Sequence, residues 1–132
     1  MKWILAFLSV VGGWLLGGIA GGFAGALAGL WDIPSAGVGA AFVAVVVAYL
    51  AAPSRKLLSA SVVLVVGAVL AWLALEPSTY PGSYRGHAYE GTHLPIIATY
   101  VSAILGFALV ATLAALQQSH CASAQQSEAQ VQ

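Results

Sequence analysis

The residues best suited to chemistry in this chain are His87, Glu90 and His93, which follow one another at intervals of three. Imidazole and carboxylate groups are common ligands of metal ions. However, Gly86 and Gly91 disfavour a helical turn here, and the spacing differs from the His-Glu-x-x-His motif of zinc peptidases. We therefore expect a solvated loop, with these three side chains as weak metal candidates, and we predict no cofactor.

The same segment, 76–94, also has the composition of a contact surface. It contains an arginine and three tyrosines, namely Tyr80, Tyr84, Arg85 and Tyr89. Tyrosine and arginine are enriched where proteins bind each other. We predict that this loop contacts a protein partner. The alternative is that its aromatic side chains only anchor the loop at a membrane surface.

Other catalytic groups are scarce along the chain. Cys121 is the only cysteine, so no intrachain disulfide forms; we expect a free thiol, with lipidation as the alternative. The sequence contains no phosphate-binding loop, no nucleophile elbow and no paired carboxylates. These observations predict that the protein is not an enzyme.

The few charged side chains locate the elements that would position these residues. Hydrophobic residues make up 61% of the 132 residues and charged residues only 6%, which excludes a soluble domain. The net charge of +0 argues against nucleic-acid binding. The charges delimit four charge-free runs, 3–31, 33–54, 57–75 and 91–127. Each run accommodates the roughly 20 apolar residues of a membrane span.

We predict an all-α integral membrane protein with four transmembrane helices in an antiparallel bundle. The expected spans cover residues 4–30, 36–52, 57–75 and 95–117. They form one domain, 1–117, followed by a flexible tail, 118–132. Ser35 or Asp32 is expected to cap the second helix and Ser54 the third. We expect the first segment to be retained rather than cleaved, since its apolar stretch is too long for a signal peptide.

The distribution of lysine and arginine predicts the orientation. Four spans place Lys2, Arg55 and Lys56 on one side of the membrane and Arg85 alone on the other. Basic residues accumulate on the cytoplasmic side. We expect both termini in the cytoplasm, at the inner (plasma) membrane of a bacterium.

Glycines form a stripe along the first helix. Five recur at intervals of four, with two more in an adjacent row: Gly13, Gly17, Gly21, Gly25 and Gly29, then Gly18 and Gly22. Residues four apart share a helix face, and small residues let helix backbones approach closely in lipid. Two interpretations follow, packing within the chain against helix 2 or 4, or packing against a partner or a second copy. Small residues on helix 2 favour the first: Ala36, Gly37, Gly39, Ala40, Ala41 and Ala44.

The spans contain no Asp, Glu, Lys, Arg or His, which argues against a proton-coupled carrier. Thr99 and Ser102 are expected to bond to backbone or to a neighbouring helix, with a polar path as the alternative. We expect a small non-catalytic subunit, accessory or self-associating, that packs through the glycine-stripe helix and the 76–94 loop. Its partners would be the lipid bilayer and other membrane subunits or itself. The alternative is a channel or carrier for a small or uncharged solute.

Overall fold

The computed structural model describes residues 1–76 and 93–129, with the backbone alone for 120–129. These residues form four helices: α1 (Lys2–Leu27), α2 (Asp32–Ala51), α3 (Lys56–Leu75) and α4 (Leu94–Ala129). All four are long and apolar enough to cross a membrane. The prediction of an all-helical membrane bundle with four spans is confirmed, and the chain is an integral membrane protein by this criterion.

The C-terminal end of α1 differs from the prediction. The helix ends at Leu27, and Gly29 follows with a φ of 67°. The Gly29 N–H donates to Ala26 O at 3.1 Å, and the Leu30 N–H donates to Gly25 O at 2.8 Å. These two bonds form a Schellman motif, in which glycine adopts the left-handed conformation just after the helix. Gly29 therefore ends α1 and is not part of its packing face.

The start of α2 and α3 also differs from the expected capping. α2 begins at Asp32, so Pro34 lies in its first turn. Backbone N–H groups in the first turn have no partner within the helix, and proline, which lacks an N–H, is therefore tolerated there. The N-cap is Trp31, without a side-chain cap bond; the Ser35 hydroxyl instead donates back to Trp31 O. Similarly, Arg55 rather than Ser54 is the N-cap of α3.

α4 is longer than predicted, because it continues through the segment that we expected to be a flexible tail from residue 118. The structure describes this helix as far as Ala129. Its polar portion is rich in alanine and glutamine and contains neither glycine nor proline. These residues have favourable or tolerable helix propensities, so loss of apolar character alone does not end the helix.

α2 is the central element of the bundle. It contacts α1, α3 and α4, whereas α1 contacts α2 alone among the described helices. α1 and α3 run antiparallel to α2, and α4 runs parallel to it. The main apolar cluster lies where α2, α3 and α4 meet, and it consists of Val45, Tyr49, Ala60, Val110 and Ala114. The α1–α2 contact is thus separate from this cluster and depends on other residues.

Candidate helix-packing interface

The glycines of α1 bring its backbone directly against the backbone of α2. A Cβ atom added to Gly17 would lie 2.5 Å from Gly39 O and 2.9 Å from Val43 Cβ. One added to Gly21 would overlap Ser35 O and lie 3.1 Å from Gly39 Cα. Any side chain at these two positions would force the helices apart. Glycine is required here by space, since the φ angles are those of an ordinary helix.

Gly39 is the matching residue on α2. A Cβ added to it would overlap Gly17 O and lie 3.0 Å from Gly21 Cα. The point of closest approach is therefore made by three glycines, two from α1 and one from α2. The sequence placed Gly39 among the small residues of helix 2, but the spacing alone did not single it out.

The rest of the stripe lies along the same contact. A Cβ added to Gly13 would lie 2.9 Å from Val47 Cγ2, and one on Gly25 would overlap the Ser35 hydroxyl. In the second row, Gly18 and Gly22 lie at ordinary contact distance from alanines of α2. The structure thus brings Gly13, Gly17, Gly21 and Gly25 against α2 of the same chain. At the other end of the stripe, a Cβ added to Gly29 would meet no packed atom within 4 Å.

A second close contact joins α2 to α4, on the side of α2 away from α1. A Cβ on Gly37 would overlap the Thr99 hydroxyl, and one on Gly106 would lie 3.3 Å from Phe42 O. The Ser102 hydroxyl donates to Val38 O at 2.6 Å, which links the two helices. We did not predict this interface. The signal was present in the sequence as small residues at 99, 102 and 106, which share one face of α4.

The hydroxyl groups inside the bundle donate to backbone carbonyls. Thr99 and Ser102 are 8% and 5% exposed. The Thr99 hydroxyl donates to Pro95 O at 2.7 Å within α4, and the Tyr100 hydroxyl donates to Ala68 O of α3 at 2.9 Å. Thr99 and Ser102 therefore adopt the backbone-bonded arrangement that we expected of them, and they contribute to helix packing.

At the opposite end of the bundle, Tyr49 joins three helices. Its hydroxyl donates to Gln117 Oε1 of α4 at 3.2 Å. The Lys56 ammonium of α3 lies 5.7 Å from the centre of its ring, within the range of a cation–π interaction. This polar group closes the bundle at the end where α2 stops and α3 begins.

The predicted loop residues are mostly not part of the described structure. Tyr80, Tyr84, Arg85, His87, Tyr89 and Glu90 lie outside the described residues. His93 is exposed just before α4, and its carbonyl accepts the Ile97 N–H at 3.0 Å. Within residues 1–76 and 93–129, no group of three His, Cys, Asp or Glu residues is placed to hold a metal ion.

Comparison with known proteins gives no relative. The chain matches no family model, no curated protein and no solved structure. Its function must therefore be inferred from its own packing, charge and hydrogen bonding, and a fold by itself does not specify a function.

Proposed function

We propose that this chain is a small, non-catalytic integral membrane subunit that associates with a larger membrane complex or with copies of itself. The observation that carries the proposal is that the membrane spans have few polar side chains and that the buried hydroxyls are bonded to backbone carbonyls. Runs 3–31, 33–54 and 57–75 contain no charged side chain, and the buried hydroxyls Thr99 and Ser102 donate to backbone carbonyls. Catalysis and ion coupling in a bilayer usually require an ionisable group near its centre.

The element that we expect to meet a partner is α1, through the face opposite its glycines. α1 has one helical neighbour among the described elements, α2, which covers only the glycine side. The opposite side carries large exposed residues, including Leu16, Ile19 and Phe23. Because the glycines pack within the chain, partner contact is proposed for this outer face and for the loop with Tyr80, Tyr84, Arg85 and Tyr89.

Crosslinking in the native membrane tests this proposal. We would introduce Ile19→Cys on the outer face of α1, in a chain whose native thiol is removed by Cys121→Ser. Val66→Cys, on the exposed side of α3, is the matched control. We expect a specific crosslinked species for Ile19→Cys and none for Val66→Cys, and native mass analysis should show the same assembly. A strictly monomeric protein that retains no partner after gentle solubilisation would contradict the proposal.

The alternative function, a channel or carrier for a small or uncharged solute, needs polar groups that are free to contact a solute. No specific observation favours it, since Thr99, Tyr100 and Ser102 each donate to a carbonyl. Proteoliposomes containing the protein should therefore show no flux of ions, water or neutral solutes above that of empty vesicles. Flux above that level would favour the alternative.

For localisation, we propose the inner membrane of a bacterium, with both termini in the cytoplasm. The support is the placement of charge: Lys2, Arg55 and Lys56 lie at one end of the bundle, and Asp32 and Glu76 lie at the other. Basic residues near span ends favour the cytoplasmic side.

A further inference from the structure

We propose that the end of the bundle formed by Tyr49, Arg55, Lys56 and Gln117, which we call the basic corner, binds the phosphate group of an anionic phospholipid. This inference is independent of the proposed subunit role. It depends on the donors that three helices bring to one point at the membrane surface.

The buried side chain of Tyr49 contacts two polar groups of the basic corner. Tyr49 is buried in the main apolar cluster, and only 5% of its surface is exposed. Its ring lies below the Lys56 ammonium at 5.7 Å, and its hydroxyl donates to Gln117 Oε1 at 3.2 Å. The cation of α3 and the amide of α4 are therefore both positioned by one rigid side chain of α2.

The exposed side chains at the basic corner are rich in hydrogen-bond donors. The Arg55 guanidinium carries five N–H donors and the Lys56 ammonium three, and both side chains are exposed. Because Gln117 Oε1 accepts the bond from Tyr49, the Nε2 group of Gln117 remains as a donor. The helix termini add little net potential, because the first N–H groups of α3 and the last carbonyls of α2 lie at the same end. Such a set of donors fits an anion with several acceptor oxygens.

Acidic residues lie at a distance from the basic corner. Asp32 and Glu76 are at the opposite end of the helices. Glu128 follows Gln117 by eleven residues in α4, a rise of about 16 Å along the helix. α2 and α3 each have 20 residues, which separates the two ends by about 30 Å. That distance is several times the Debye length at physiological salt. Lys2, at the start of α1, lies on the same side as the basic corner and strengthens the attraction.

The location favours a lipid headgroup over a soluble phosphate compound. The corner lies where α2 ends and α3 begins, and both helices have the length of the hydrocarbon core. Its donors are therefore expected at the depth of the lipid phosphates. A basic residue near an anionic membrane surface contributes about 1 kcal/mol to binding, which is about a fivefold change in affinity.

Native mass spectrometry of the full chain in detergent, titrated with phosphatidylglycerol, tests the proposal without depending on orientation in a membrane. We expect the wild type to retain phosphatidylglycerol in preference to zwitterionic phosphatidylcholine. Arg55→Gln/Lys56→Gln should weaken phosphatidylglycerol binding by roughly 25-fold, at about fivefold for each cation. Circular dichroism shows whether this variant keeps its helices.

A second variant adds an opposing charge and leaves the cations in place. Gln117→Glu retains an acceptor for the Tyr49 hydroxyl but places a carboxylate among the donors, and we expect it also to weaken lipid binding. Gln118→Glu adds the same charge one residue away, about 100° around the helix, and should have a much smaller effect. The proposal is wrong if the double variant binds phosphatidylglycerol as the wild type does, or if phosphatidylcholine binds equally well. Displacement of the lipid by excess inorganic phosphate would reassign the site to a soluble phosphate ligand.

Discussion

Gly17 and Gly12 lie on the same helix but in opposite surroundings, and a methyl group should affect them in opposite ways. At Gly17, the added Cβ would lie 2.5 Å from Gly39 O, so that Gly17→Ala must push α1 away from α2. Overpacking of this kind costs about 1–3 kcal/mol. We predict that the variant has a lower melting temperature in detergent micelles.

Gly12→Ala is the matched control for this substitution. No atom lies within 4 Å of a Cβ at Gly12, and alanine has a higher helix propensity than glycine. The melting temperature should stay the same or rise. Equal destabilisation by both substitutions would show that helix propensity, and not the contact with Gly39, determines the effect.

Ser102 and Thr112 provide a second comparison at the scale of single residues. The Ser102 hydroxyl links α4 to Val38 O of α2 at 2.6 Å, whereas the Thr112 hydroxyl is exposed and bonds to Leu109 O in its own helix. Interhelical hydrogen bonds in membranes contribute on average about 0.6 kcal/mol. We predict that Ser102→Ala lowers the melting temperature slightly and that Thr112→Ala does not. A larger decrease in melting temperature for Thr112→Ala than for Ser102→Ala would show that the Ser102 hydrogen bond does not stabilise the α2–α4 contact.

At the scale of helices, the sequence predicts which face of α1 packs, because a spacing of four identifies a face. The sequence does not show which helix packs against this face of α1. Helix 2 of the same chain has many small residues, and helix 1 of a second copy has the same glycine stripe. The structure places α2 of the same chain there, with Gly39 at the closest point. The prediction that Gly29 belongs to the packing stripe was wrong, because α1 ends two residues before it. The carbonyls of Gly25 and Ala26, in the last turn of the helix, instead accept the two bonds of a Schellman motif.

Paired cysteines test the α1–α2 contact directly. A Cβ on Gly18 would lie 3.6 Å from Ala40 Cβ, which is within the range that a disulfide spans. We predict that Gly18→Cys/Ala40→Cys, in a Cys121→Ser background, forms an intramolecular disulfide on mild oxidation in the membrane. Gly12→Cys/Ala40→Cys should not. A disulfide-linked dimer as the main product of the first pair would show that the stripe packs between copies.

α4 shows where a composition boundary is not a structural boundary. The change from apolar to polar residues near position 118 marks the expected edge of the bilayer and predicts the end of the helix there. The helix continues to Ala129, because its backbone bonds do not require apolar side chains. Hydropathy therefore located the four spans well, and it located the helix end poorly where no glycine, proline or cap marks it.

For the whole molecule, the charged residues distinguish the two ends of the bundle, which helix packing alone does not. The bundle interior is held by close backbone contacts and hydroxyl-to-carbonyl bonds, and neither distinguishes one side of the membrane from the other. Lys2, Arg55 and Lys56 do so, since they lie at the same end of the bundle. The same residues thus support both the proposed orientation and the proposed lipid site, which can be tested separately.

Thiol accessibility in intact cells determines the orientation, provided that the labelled positions leave every lysine and arginine in place. Ser54 and His93 meet this condition: both are exposed, and they lie on opposite sides of the membrane because α3 separates them. In a Cys121→Ser background, we predict that a membrane-impermeant reagent labels His93→Cys from outside. Ser54→Cys should be labelled only after permeabilisation, since the basic end should face the cytoplasm. The reverse pattern would place Arg55 and Lys56 outside the cell, where their lipid contacts would be with the outer leaflet.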